Sequence, residues 1–304
     1  MRKKTPAFSA TVVPPQPRRE TTLSDAELRR VFAILRFIAQ RPAPNDGSSS
    51  SNSGSGGDAN DSQCADAANP GAVKAPSKKT ANKPHIPESV AEPLEKFRMS
   101  VTNLSVQAEE IQQARVSLCT VLLQTYPNDA AEVEWLCGRD MFAEDPRAES
   151  LPGFMRNDVY ALQAMHEILP GLYVGSYHPA SDKANLQSHN ITHVLCCINV
   201  TPRFPQDFEY MTLPADDAPG YNIAKFFPQT FDFVENALNK HSAILVHCGA
   251  GISRAPTITA AYLIRKLRIT AAAAIAFIQR RRRVASPNTG FRQQLRTYQE
   301  KLDI

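Results

Sequence analysis

Apolar residues recur at helical spacing through the first half of the chain and in short strand-like blocks through the second. Ser24 followed by Glu27 has capping-box spacing, and Leu28, Val31, Phe32, Leu35 and Ile38 then fall on one face, which predicts an amphipathic helix near residues 24–40. Such a helix docks on a partner as a short peptide, packs back onto the chain that carries it, or is marginal and without a role. Ser, Gly, Asn, Asp and Pro dominate from Arg41 to Pro93, and so polar a segment buries too little apolar surface to offset its ordering entropy. Residues 1–93 are therefore expected to be largely disordered apart from that helix. Between Pro93 and Tyr126, Leu94, Phe97, Val101, Leu104, Ala108, Ile111, Leu118 and Leu122 follow three- and four-residue steps, with Arg115 interrupting the stripe. This predicts one long helix of about 45 Å, serving as an arm, a dimer seam or a lid, with packing inside the chain as the default. A further helix over 130–141 carries the only tryptophan, Trp135, expected in the core. Residues 94–160 thus read as a helical extension.

From Leu169 short apolar blocks alternate with amphipathic ones. Strands are expected at 171–174, 192–198, 210–213 and 243–247, and helices at 179–188, 223–238, 254–267, 270–282 and 290–302. Alternation of this kind predicts an α/β fold over residues 161–304, with a central, mostly parallel sheet of four to five strands flanked by helices.

Composition narrows the functional classes. With 304 residues, 42% hydrophobic and 21% charged, one sizeable core is available. Net charge is only +4, too small for a dedicated polyanion binder, and basic residues lack the aromatic interleaving of a single-strand platform, so no nucleic-acid partner is expected. No run approaches the roughly 18 apolar residues of a membrane span. The basic residues between Met1 and Arg19 are not followed by a secretory-type apolar block, and prolines at 6, 14, 15 and 17 spoil a targeting helix. A soluble protein of a reducing compartment, cytoplasmic or nuclear, is expected. The six cysteines lack the paired spacing of a disulfide framework or zinc ribbon, and His178, His189 and His193 lack metal spacing. Neither metal nor organic cofactor is implied.

Chemistry concentrates in Ala243-Ile-Leu-Val-His-Cys-Gly-Ala-Gly-Ile-Ser-Arg-Ala-Pro-Thr, where a buried strand passes through a glycine-bearing loop into an alanine-rich helix. A loop feeding a helix N-terminus aims backbone N–H groups at one point, and the helix dipole adds partial positive charge, so the loop is an anion cradle. Cys248 opens the cradle. An ordinary thiol titrates at about 8.5, but one at a helix N-terminus beside cations can titrate at about 3.5–7.5, which prepares a nucleophile. Arg254 can fold over the loop and offer its planar fork to two phosphoryl oxygens. A nucleotide P-loop is excluded, because no Gly-Lys-Ser/Thr follows the glycines. A carboxylic acid must protonate the leaving oxygen, and the loop Leu213-Pro-Ala-Asp-Asp-Ala-Pro-Gly supplies Asp216 and Asp217.

The opening Ile168-Leu-Pro-Gly-Leu-Tyr-Val-Gly-Ser, the segment Asn190-Ile-Thr-His-Val-Leu, the acid loop, the His-Cys-x-x-Gly-x-x-Arg loop and the closing Ser286-Pro-Asn-Thr-Gly-Phe occur in that order. Over about His166 to Leu302 the chain resembles the catalytic domain of the dual-specificity protein phosphatases, within the cysteine-dependent phosphatases. The resemblance implies Cys248 as nucleophile, Arg254 as phosphate ligand, and Asp217 rather than Asp216 as general acid. It implies backbone donors from Gly249, Ala250, Gly251, Ile252 and Ser253, His247 tuning the thiolate from behind, and Asn288 bracing the loop while also able to cap a helix. It implies phosphoprotein substrates, protein kinases among them, carrying phosphotyrosine and phosphoserine or phosphothreonine. Ala255 departs from the family, which usually has a hydroxyl there to speed hydrolysis of the phosphoenzyme. A phosphoprotein-binding scaffold with weak turnover therefore stays open, as does a phosphoinositide or glycan phosphatase, although the cradle lacks the lysines of the lipid-directed relatives. The run Arg280 to Arg283 reads as a solvated helix end or as positive potential beside the site. Cys196 and Cys197 read as core residues, with an oxidative partner for Cys248 as the alternative.

Overall fold

The computed structural model describes residues 24–41, 86–103, 105–138, 163–240 and 242–304. The expected disorder in 1–23 and 42–85 falls outside these residues, as does 139–162, whereas residues 88–93, expected in the same disordered segment, are helical. Helices α1 (Asp25–Ala39), α2 (Glu88–Thr102), α3 (Ala108–Thr125) and α4 (Ala130–Cys137) precede the sheet. Strands β1 (His166–Leu169) and β2 (Leu172–Gly175) lead through α5 (Tyr177–Ala180) and α6 (Lys183–Ser188) to β3 (Ile191–Cys196) and β4 (Glu209–Thr212). Helix α7 (Phe227–Asn239), β5 (Ala243–His247), α8 (Arg254–Leu267), α9 (Ala271–Arg281) and α10 (Thr289–Glu300) complete the chain.

The sheet has the order β1-β2-β5-β3-β4. Pairings β2 with β5, β5 with β3 and β3 with β4 are parallel, and only β1 is antiparallel. Strand alternation divides β5 between the two faces: Ile244 and Val246 join the large core under α7–α10, and Ala243 and Leu245 join a smaller cluster under α5 and α6. Central β5 is buried at every residue, as expected of a parallel strand covered on both faces.

Strand β1 was not anticipated. Only Ile168 and Leu169 of its four residues are buried, too short a pattern to show a period. It is fixed by the turn at Pro170-Gly171, where Gly171 takes a φ of 81° and donates to Glu167 Oε1 at 3.0 Å.

The long helix expected between Pro93 and Tyr126 is two helices. At the break, Asn103 Oδ1 accepts from the Ser105 amide at 3.0 Å, an Asx turn that competes with helical hydrogen bonding. α3 then doubles back on α2, so Phe97, Val101, Leu118 and Leu122 share one core with α1. Helix α1 packs inward through Leu28, Val31, Phe32, Ile34, Phe37 and Ile38. That core continues without interruption into Ile258, Leu263 and Phe277 of α8 and α9. Arg115 interrupts the apolar stripe because it pairs with Glu27 of α1 at 2.9 Å, while Glu27 also holds Arg30 at 3.0 Å. Trp135 is 61% exposed, contrary to its expected core position. At 100° per residue, Val133 and Leu136 form the inward stripe of α4 and leave Trp135 on the opposite face.

Candidate active site

The loop 248–253 leaves the carboxyl end of β5 between β2 and β3 and enters α8, the position where open parallel sheets collect ligands. Four of its carbonyls are engaged from outside. Gly249 O accepts from Tyr177 N at 3.0 Å, and Ile252 O from Ser286 N at 2.6 Å. Ala250 O and Gly251 O accept from Arg282 Nη2 and Nε at 2.9 and 2.8 Å. A trans peptide points its N–H opposite to its C=O, so the amides of Ala250, Gly251, Ile252 and Ser253 face the interior of the loop. One of them is visible at work: Gly251 N donates to Cys248 Sγ at 3.2 Å. Gly251 has φ 68°, and a Cβ there would collide with Gly175 O, so the turn admits no side chain.

Arg254, the first residue of α8, reaches back over this loop. Its Nη1 donates to Ala215 O at 3.1 Å and its Nε lies 3.5 Å from Asp217 Oδ2. Asp217 Oδ1 also accepts from Ser253 Oγ at 2.7 Å and from Asn288 Nδ2 at 2.9 Å. Asn288 caps α10, accepting from Phe291 N at 2.9 Å, and its own amide donates to Ser253 Oγ at 3.2 Å. Asp216 is exposed, without a polar partner among the described residues. The fold therefore gathers Cys248, Arg254, Asp217, Ser253 and Asn288 around one loop and leaves Asp216 outside it. The loop carrying Asp217 rests on the start of α10, where a Cβ at Gly290 would overlap the backbone of Pro219.

His247 lies behind the loop, 2% exposed, with its ring 6.1 Å from that of Tyr177. Burial pushes its pKa down to about 4, so at neutral pH the ring brings no charge to the neighbouring sulfur. Cys196 and Cys197 are buried beneath the loop, and burial raises both thiols, Cys197 well above its ordinary range. Cys196 Sγ donates to Ile198 O at 3.3 Å.

The arginine run differs from expectation. Arg282 is fully buried, and beyond its two loop carbonyls its Nη1 donates to Ala164 O and meets His166 Nδ1, both at 3.0 Å. Arg280 and Arg281 pair with Asp25 of α1, leaving Arg283 exposed. Sequence pattern gave no sign of this, because one inward residue in a run of four looks like its neighbours until the end of α9 is known. A four-atom cradle of inward amides, a sulfur at its floor, a guanidinium over its mouth and a carboxyl group beside it can bind a tetrahedral oxyanion and attack its centre.

A family model described as dual specificity phosphatase, catalytic domain, matches residues 172–301. Human dual specificity protein phosphatase 9 is 38% identical over 144 residues, 45% of this chain and 37% of that protein. Dual specificity protein phosphatase 1 of Arabidopsis thaliana is 38% identical over 135 residues, 44% of this chain and 68% of that one. The solved human tyrosine phosphatase-like serine/threonine/tyrosine-interacting protein is 37% identical, covering 47% of this chain and 99% of that chain with a TM-score of 0.45. The chain thus spans little more than a third of the length of the human phosphatase and about two thirds of the plant one.

Proposed function

The chain belongs to the dual-specificity phosphatase family, and from that premise we propose that it hydrolyses phosphotyrosine and phosphoserine or phosphothreonine in proteins through a phosphorylated Cys248. The observation that carries this reading is the outward engagement of the loop carbonyls, which leaves inward amides for a phosphoryl group above Cys248 Sγ. The Cys248 thiolate attacks phosphorus while the bond to the ester oxygen breaks, and Asp217 gives that oxygen its proton. Water then attacks the phosphocysteine, surrendering a proton to the Asp217 carboxylate, and inorganic phosphate leaves with the thiolate restored. Arg254 turns its fork from Ala215 O to two phosphoryl oxygens, where charge grows in the transition state.

A specific observation favours a second reading, a phosphoprotein-binding scaffold with weak turnover. Ala255 is fully buried beside the loop and has no hydroxyl to assist the second step. Rapid-mixing kinetics with an aryl phosphate decide between the two. Sustained turnover after the first equivalent of phenolate, abolished by Cys248→Ser by about 10⁴-fold or more, is expected of the enzyme. A single burst followed by negligible turnover identifies the scaffold, and undiminished hydrolysis by Cys248→Ser removes the nucleophile assignment.

A further inference from the structure

Resting on the reading of Cys248 as the phosphate-accepting sulfur, we propose that Arg282 is a positioning residue for the phosphate loop, held in place by Asp25 of helix α1 through the two arginines that precede it. The guanidinium has five donors in a plane, and here one edge serves the loop while the other serves the strand side. Nε and Nη2 hold the carbonyls of Gly251 and Ala250, and Nη1 holds Ala164 O and His166 Nδ1 just ahead of β1. Fixing those two carbonyls fixes the peptide planes 250–251 and 251–252, and the first of these carries the amide that reaches Cys248 Sγ. Without the fork either plane is free to rotate and present its oxygen to an anion, which is repulsive. Arg282 also places a buried positive charge behind the sulfur; burial lowers its pKa to about 10, so it stays charged at neutral pH.

What holds Arg282 lies far away in the sequence. Helix α9 ends at Arg281, and the carboxylate of Asp25, 9% exposed, meets Arg280 and stands 4.0 Å from Arg281. One turn further along α1, Arg29 reaches Glu167 of β1 at 3.4 Å, beside His166. Helix α1 therefore grips both supports of Arg282, the end of α9 and the start of β1. Its role extends past covering apolar surface to fixing the geometry of the loop.

The full-length chain tests this through two readouts: kcat/KM for an aryl phosphate, and the pH profile of iodoacetamide alkylation at Cys248 followed by peptide mass spectrometry. Arg282, Cys196 and Cys197 lie within electrostatic reach of Cys248, His247 precedes it in the chain, and Arg254 reaches over its loop to meet Asp217, with His166 standing behind Arg282. Arg282→Met is expected to lower kcat/KM at least about tenfold and to move the alkylation midpoint up by about one pH unit. Arg282→Lys keeps the charge and loses the fork, so it retains most of the midpoint while losing roughly several-fold in kcat/KM; it also carries the test should the methionine variant fail to fold. Asp25→Asn is expected to lower kcat/KM about threefold, and Asp25→Arg more, with recovery when Asp25→Arg is combined with Arg280→Asp. The charge swap leaves the first-turn dipole penalty of Asp25→Arg in place, so recovery reports the contact itself. Wild-type values for both Arg282 variants overturn the proposal, and failure of the swap to recover activity overturns the role of α1. A wild-type chain that neither hydrolyses the substrate nor alkylates at Cys248 overturns the phosphatase reading instead.

Discussion

At the scale of single residues, the two adjacent aspartates separate cleanly. Asp217 is joined to Ser253, Asn288 and Arg254, and Asp216 points to solvent. If Asp217 supplies the proton, Asp217→Ala lowers kcat/KM by about 10²–10⁴-fold for an alkyl or phenyl phosphate and far less for a nitrophenyl ester, whose oxygen leaves unaided. Asp216→Ala is expected to leave both within about twofold. A series of aryl phosphates graded by phenol acidity checks this through the slope of log kcat/KM, which steepens only for the true acid. Residue type and spacing singled out Cys248 and Arg254 but left Asp216 and Asp217 open, and only the family resemblance preferred Asp217; the fold brings Asp217 to Arg254 and Ser253 of the loop that Cys248 opens. Arg282 was not legible, since burial inside a charged run leaves no compositional trace, and the neutrality of His247 follows from packing that only the folded chain reveals.

At the scale of elements, regular periodicity was informative and its interruptions were not. The Ala-rich helix α8 and strand β5 fall at the expected bounds because each is buried on nearly every side. Between α2 and α3 the apolar rhythm runs straight through Asn103-Leu104-Ser105, so nothing but the side-chain hydrogen bond of an Asx turn marks the reversal. Strand β1 was hidden by its brevity, and Trp135 by the habit of counting a large ring as core when its helix turns it outward. The junction between the acid loop and α10 yields a prediction at this scale. A methyl group in Gly290→Ala meets the backbone of Pro219, which cannot yield as a flexible side chain would, so the loop carrying Asp217 must shift. The expected result is loss of kcat/KM of about 10-fold or more for poor leaving groups with little change for good ones, the same selectivity as removing Asp217. A uniform loss across leaving groups, measured on the same aryl phosphate series, shows that the loop's position does not govern proton transfer.

At the scale of the whole molecule, the buried histidines couple the site to acid stability. His166 and His247 both have pKa values pushed down to about 4 by burial, with the charge of Arg282 adding to the effect at His166, and burial lowers His193 as well despite Glu209. In the unfolded chain these rings take up protons near the ordinary histidine value of about 6.5. Because the unfolded state binds more protons between the two values, stability is complete above about 6.5 and falls as pH drops toward about 4. By pH 5 the loss is about 2 kcal/mol for each of His166 and His247, on the order of a fifth of a typical domain's stability. A carboxyl group with the ordinary value near 4 stays mostly ionised between pH 7 and 5, so urea midpoints in that interval report mainly on histidine. His166→Asn is expected to flatten the decline by about the share of one ring. His166 also accepts from Arg282 Nη1, so protonating it takes an acceptor from the guanidinium that holds the loop carbonyls. Acid should therefore loosen the cradle before it unfolds the chain, seen as hydrogen exchange at the Gly251 and Ile252 amides rising at a higher pH than exchange in α8. Exchange in loop and helix rising together would mean that the site and the core fail as one unit.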